Sequence, residues 1–120
     1  MQRRPTKNTR GPNSDEKRYH QWIKESFICV ACSSNEPVNC HHCKGATYKH
    51  NKELIGHLFC IGLCQNCDNL ITNGSRRLFT DKFGPQNQLW LNSVGDYIIE
   101  TGNRFDGFDN LADAIMDCGE

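Results

Sequence analysis

Two CxxC knuckles constrain this chain more than any other feature. "CVAC" spans Cys29 to Cys32 and "CQNC" spans Cys64 to Cys67, with 31 residues between them. Each knuckle offers two thiolates in a tight turn, and a tetrahedral zinc takes four such soft ligands. Four bonds to one ion would tie an early turn to the start of a later helix. The chain needs such a staple. It has 120 residues, and 37% of them are hydrophobic even with cysteine counted. A core that thin is usually supplemented by metal or by disulfides.

Compartment separates those two options. The chain opens "MQRRPTKNTRGPNSDEKRYH", with no apolar signal core, and no later run is long enough to cross a membrane. It therefore reads as cytoplasmic with no membrane partner, where thiols stay reduced and CxxC pairs bind metal. A redox or disulfide protein is the minor alternative, which zinc content would decide.

The order of signals suggests one small domain. Residues 1–18 form a basic arm with no apolar periodicity, expected to be disordered. Arg3, Arg4, Lys7, Arg10, Lys17 and Arg18 in that arm could neutralise phosphates, which makes nucleic acid the natural partner. Tyr19, Trp22, Ile23 and Phe27 mark entry into a folded domain over residues 19–100, through a short helix. "FICV" reads as a strand running into the first knuckle and "VNCHH" as a second strand. The polar stretch 44–52 reads as loop. "HLFCIGLC" reads as a further strand, and "CQNCDNLITNG" as a helix that Gly74 ends. Leu78, Phe79 and Phe83 form one helical face. Gly84 and Pro85 break the chain, and Leu89, Trp90, Val94, Tyr97 and Ile98 form the next face. Residues 101–120 read as an acidic helix and tail. The aromatics Phe79, Phe83 and Trp90 are expected in the core rather than as base-stacking platforms.

The remaining cysteines leave the metal count open. Cys40 and Cys43 form a third CxxC, which would hold a second zinc with Cys60 or a histidine, or displace one knuckle from the first site. Cys60 lies in an apolar run, as a buried small hydrophobe would. Cys118 reads as a spectator. Between Cys40 and Cys43 stand His41 and His42. Strand neighbours point to opposite faces, but at a strand end two side chains can serve one site. One could hold a divalent cation at a phosphate and the other take a proton from water.

A CxxC, a histidine pair on a hairpin and a second CxxC opening a helix resemble the layout of HNH (His-Me finger, ββα-metal) endonucleases. "ICVACSSNEPVNCHH", "HLFCIGLCQNCDN" and "RRLFTDKFGPQNQLW" look most like the HNH domain of RecA-dependent phage recombination-enhancement nucleases. The similarity covers residues 27–90, about half the chain. It implies an α+β fold: a small zinc-stapled ββα-metal, treble-clef-like core with added C-terminal helices. It implies a DNA endonuclease that uses Mg²⁺ or Mn²⁺ alongside structural Zn²⁺ held by Cys29, Cys32, Cys64 and Cys67. By this resemblance His42 is the general base. His41 and Asp68, with His57 as a further candidate, hold the catalytic metal. Implied partners are DNA and a recombinase filament, in the cytoplasm of a bacterial host. Lys44, Lys49, Lys52, Arg76 and Arg77 flank that site.

One departure matters. Where the family has a further helix histidine, this chain has Thr72 and Asn73. The alternative is therefore a catalytically degenerate zinc module that binds nucleic acid or inhibits a host protein.

Overall fold

The computed structural model describes residues 12–26, 28–45, 47–50 and 53–118. The expectations for Arg3, Arg4, Lys7, Arg10 and Lys52 fall outside these residues. The first helix, α1 (Ser14–Ser26), begins inside the segment expected to be a disordered arm. Its start is a reciprocal cap. The Glu16 carboxylate accepts from the Asn13 backbone N–H at 2.9 Å, and the Asn13 side chain accepts from the Glu16 N–H at 2.9 Å. Two of the helix's open donors are thereby satisfied. Lys17 and Arg18 consequently belong to α1, and Arg18 pairs with Asp15 one turn away. Glu16, Tyr19 and Ile23 are the residues α1 buries, at helical spacing.

The strand expected over "FICV" does not form among its described residues, Phe27 lying outside them. Residues 28 and 29 have no regular structure, and a turn follows at once. The reason is local: Cys29 N–H reaches Ser34 O and Ser33 N–H reaches Cys29 O, so the chain closes on itself. One hydrogen bond, Val30 N–H to Gly62 O at 3.0 Å, lays this turn along the sheet.

The sheet is a pair of antiparallel strands. β1 (Val38–His42) pairs with β4 (Cys60–Cys64), in a register that sets Val38 opposite Cys64, Cys40 opposite Gly62 and His42 opposite Cys60. Between them, the stretch read as loop carries a two-residue ladder of β2 (Lys49–His50) with β3 (Glu53–Leu54). Helix α2 (Gln65–Asn69) follows β4 without a loop and passes into a π-helical turn over Leu70–Gly74. Ser75 then caps α3 (Arg76–Phe83), its side chain accepting from Leu78 N–H. Gly84 takes φ +94°, a conformation side chains resist, and Pro85 leads into α4 (Gln86–Thr101). Helix α5 (Phe108–Asp117) closes the described chain. The whole is an α+β protein in which β1, β4 and α2 make a ββα unit.

The core fills the space between α1, the sheet and α4. Tyr19, Trp90, Tyr97, Phe59 and Phe79 are all fully or almost fully buried. The Tyr19 hydroxyl donates to Cys60 O at 2.9 Å and accepts from the Ser93 hydroxyl at 2.9 Å, linking α1, β4 and α4. Trp90 donates its ring N–H to Leu58 O at 2.9 Å. Leu78, expected on the apolar face of α3 with Phe79 and Phe83, is instead 59% exposed, because only Phe79 of the three turns fully inward. Gly62 permits the closest approach in the core. A Cβ there would stand 2.9 Å from Ile23 Cγ2 and 3.3 Å from Val38 Cγ2. Among the described residues, no helix is long and apolar enough to cross a membrane.

Candidate metal centre and the flanking histidines

The knuckle turn, the end of β4 and the first turn of α2 bring Cys29, Cys32, Cys64 and Cys67 together. One sulfur from each lies within 4.8 Å of the others. The sulfurs of Cys32 and Cys64 are 3.7 Å apart. Two thiolates on a tetrahedral zinc, each bonded at about 2.3 Å, sit about 3.8 Å apart. All four cysteines are free thiols, so the cluster is positioned to hold a metal ion.

The local backbone is built around this cluster. Cys32 N–H points at Cys29 Sγ at 3.5 Å. Ser33 completes the turn at φ +64° among residues that rarely adopt it. Burial pushes the thiols of Cys29 and Cys67 up, whereas the neighbouring Ser34 hydroxyl and backbone bring Cys32 down to about 6. Without a cation the buried pair stays protonated; with one, burial favours neutralising the ion by thiolates.

A second arrangement lies on the α2 side of the sheet. Asn39 and His41 alternate with Val38, Cys40 and His42, so the odd-numbered pair faces α2. His41 Nδ1 is 3.2 Å from Asp68 Oδ1. The Asn39 side chain donates to Asp68 Oδ2 and Gln65 Oε1, each at 3.3 Å. Burial lowers the His41 pKa, opposed by the charge of Asp68. Behind His41 lies Gln86, the first residue of α4, which is 0% exposed. His41 Nε2 and both polar atoms of the Gln86 side chain are buried, with no hydrogen-bond partner among the described residues. Gln86 is nevertheless close enough to favour the protonated imidazole of His41. Sequence reasoning placed this glutamine only within a resemblance; its burial against His41 depends on how α4 docks.

The other residues named from sequence fall elsewhere. His42 faces α1, its ring 5.6 Å from the ring of His20 and 5.6 Å from that of His57. His57 thus stands with His42, not with His41 and Asp68. Burial lowers the His42 pKa, and the neighbouring imidazoles lower it further. Thr72 turns its hydroxyl back to Asp68 O at 2.9 Å, and Asn73 donates to Asn69. Neither joins the His41–Asp68 pair. Cys40 and Cys43 belong to no group of three or more close ligand atoms among the described residues. Cys40 lies in β1 and Cys43 in the turn just beyond it. Cys60 is fully buried beside Cys40, its thiol donating to His57 O at 3.2 Å. Cys118, just past the end of α5, donates to Ile115 O.

Among the flanking cations, Arg76 at the start of α3 is near enough to depress the His41 pKa, and Lys44 sits 5.6 Å over the Tyr48 ring. His20 is the residue that sequence reasoning missed. It lies in α1 outside any metal-ligand spacing, and only the packing of α1 on the sheet brings it to His42. No protein-family model, curated protein or solved structure matches this chain.

Proposed function

We propose that the chain is an HNH-type metal-dependent DNA endonuclease whose four-cysteine cluster carries a structural zinc. The observation that carries this reading is the His41–Asp68 pair, placed where β1 meets α2 directly beside the cysteine cluster. The all-sulfur donor set suits zinc. The nitrogen–carboxylate set suits Mg²⁺ or Mn²⁺, which keep several waters and need few protein ligands. Two cis ligands at about 2.0–2.1 Å from such an ion are about 3 Å apart, close to the observed 3.2 Å. The resemblance in the sequence, with the ββα order of elements, supports the same assignment.

His41 and Asp68 would hold the cation, which would supply charge stabilisation to the scissile phosphate and the leaving oxygen. Asn39 keeps the Asp68 carboxylate oriented. The resemblance assigns the base to His42, the last residue of β1, although its ring stands on the α1 face of the sheet and not with His41 and Asp68. Burial and neighbouring imidazoles keep it neutral, the form that accepts a proton from water. Arg76 supplies a nearby positive charge for phosphate.

The test is plasmid nicking with Mg²⁺ or Mn²⁺, alone and with a recombinase filament. Asp68→Ala and His42→Ala should each lower the rate at least about 100-fold while zinc content stays that of the wild type. A wild type that holds zinc but never cuts would overturn the reading. A second reading, a binding module without hydrolysis, is favoured by the Thr72 hydroxyl bonding its own helix. It expects salt-sensitive DNA binding that is lost on deleting residues 1–12, upstream of the Asn13 cap of α1.

A further inference from the structure

We infer that the chain has a second soft-metal site, formed by His20 of α1, His42 at the end of β1 and Cys60 at the start of β4. One ligand atom from each of these residues lies within 4.8 Å of the others. The register explains why. His42 and Cys60 are direct partners across the strands, so their side chains share the face that α1 covers. Helix α1 then lowers His20 onto that pair, its ring 5.6 Å from that of His42. A fourth group stands at the edge: the His57 ring lies 5.6 Å from His42 and 6.4 Å from His20.

The chemistry of the set selects the ligand. Two imidazoles and one thiolate suit Zn²⁺ or Co²⁺, and not Mg²⁺, which takes oxygen. Burial favours the neutral form of both imidazoles, which is the form that binds metal. Cys60 now donates its S–H to His57 O. On metal binding that proton leaves to solvent as the metal–sulfur bond forms, with no change of oxidation state. Packing alone asks only for a small apolar residue at this fully buried position; the His57 carbonyl that takes the Cys60 S–H is also hydrogen-bonded by His20 Nε2, which draws His20 and Cys60 to one point.

The site shares no residue with the four-cysteine cluster, and it does not rest on the nuclease reading. A cation bound here would, however, occupy the His42 that the reading uses as base.

The experiment is metal content of the full chain after dialysis against micromolar Zn²⁺, followed by Co²⁺ replacement. Two zincs per chain are expected for the wild type, and one for His20→Ala and for Cys60→Ala. Exchange of the weaker ion for Co²⁺ should add a near-ultraviolet band of a single thiolate, absent in both variants. His20 is half-buried at the helix surface, so its loss is the milder change, and the retained first zinc reports that each variant is folded. One zinc per saturated wild-type chain would overturn the inference, as would two zincs in both variants.

Discussion

Replacing Cys29 with alanine should release the metal from the four-cysteine cluster and lower stability by about 4 kcal/mol. Cys29 is 0% exposed, and its sulfur is one of the four that converge. A metal held by the cluster would cross-link the knuckle to the β4–α2 junction. The sulfurs at Cys32 and Cys64 belong to residues 32 positions apart in sequence. Treated as a covalent cross-link, closing a loop of that length removes about 4 kcal/mol of entropy from the unfolded chain. For a domain of this size that corresponds to a drop in Tm of about 15 °C. An ordinary buried cysteine behaves as a small hydrophobe, and trimming it to alanine would cost about 1 kcal/mol, or about 4 °C. The two magnitudes are far enough apart to decide the matter. Scanning fluorimetry with and without a strong chelator, together with zinc content, provides the measurement, and Cys118→Ala serves as the control. A Cys29→Ala shift no larger than the control's, with zinc content unchanged and the wild type indifferent to chelator, would refute the reasoning.

Other perturbations read out the packing. Gly62→Ala pushes a methyl to 2.9 Å from Ile23 Cγ2, so urea unfolding should show a loss of about 1–3 kcal/mol; an unchanged midpoint would mean that α1 sits further from the sheet. Tyr19→Phe strips the hydroxyl shared by Cys60 O and Ser93, and equilibrium unfolding should register a loss of about 1–2 kcal/mol. Gln86→Leu removes two buried polar atoms without hydrogen-bond partners, so the variant should be more stable by about 1 kcal/mol. If His41 holds the catalytic cation, Mn²⁺-dependent nicking by that variant should fall at the same time, because the ring loses its backing group. Ser33→Gly relieves a side chain at φ +64° and should raise the unfolding midpoint slightly, by no more than about 1 kcal/mol.

The parts of this protein that were legible in sequence are those governed by short-range rules. The spacing of Cys29, Cys32, Cys64 and Cys67 announced that the four would cluster, since a knuckle folds from four consecutive residues. The ββα order followed from "VNCHH", "CIGLC" and the helix pattern after them. Gly84 and Pro85 marked their break because each limits the backbone locally. The Asn13–Glu16 cap is equally local and was readable in "NSDE", but the charge of the surrounding arm obscured it. The knuckle turn competed with the apolar run "FICV" and prevailed because its own backbone hydrogen bonds were nearer at hand.

What the chain decided alone was therefore which residue types are available to hold a metal or accept a proton, and in what order of elements they come. Which of them meet was decided by tertiary structure. Strand alternation sent His41 toward Asp68 and His42 toward α1, so two adjacent histidines acquired different surroundings. The docking of α1 supplied His20, and the docking of α4 buried Gln86 against His41. These contacts join residues distant in sequence whose meeting depends on how helices pack against a sheet, and that packing leaves no spacing to read.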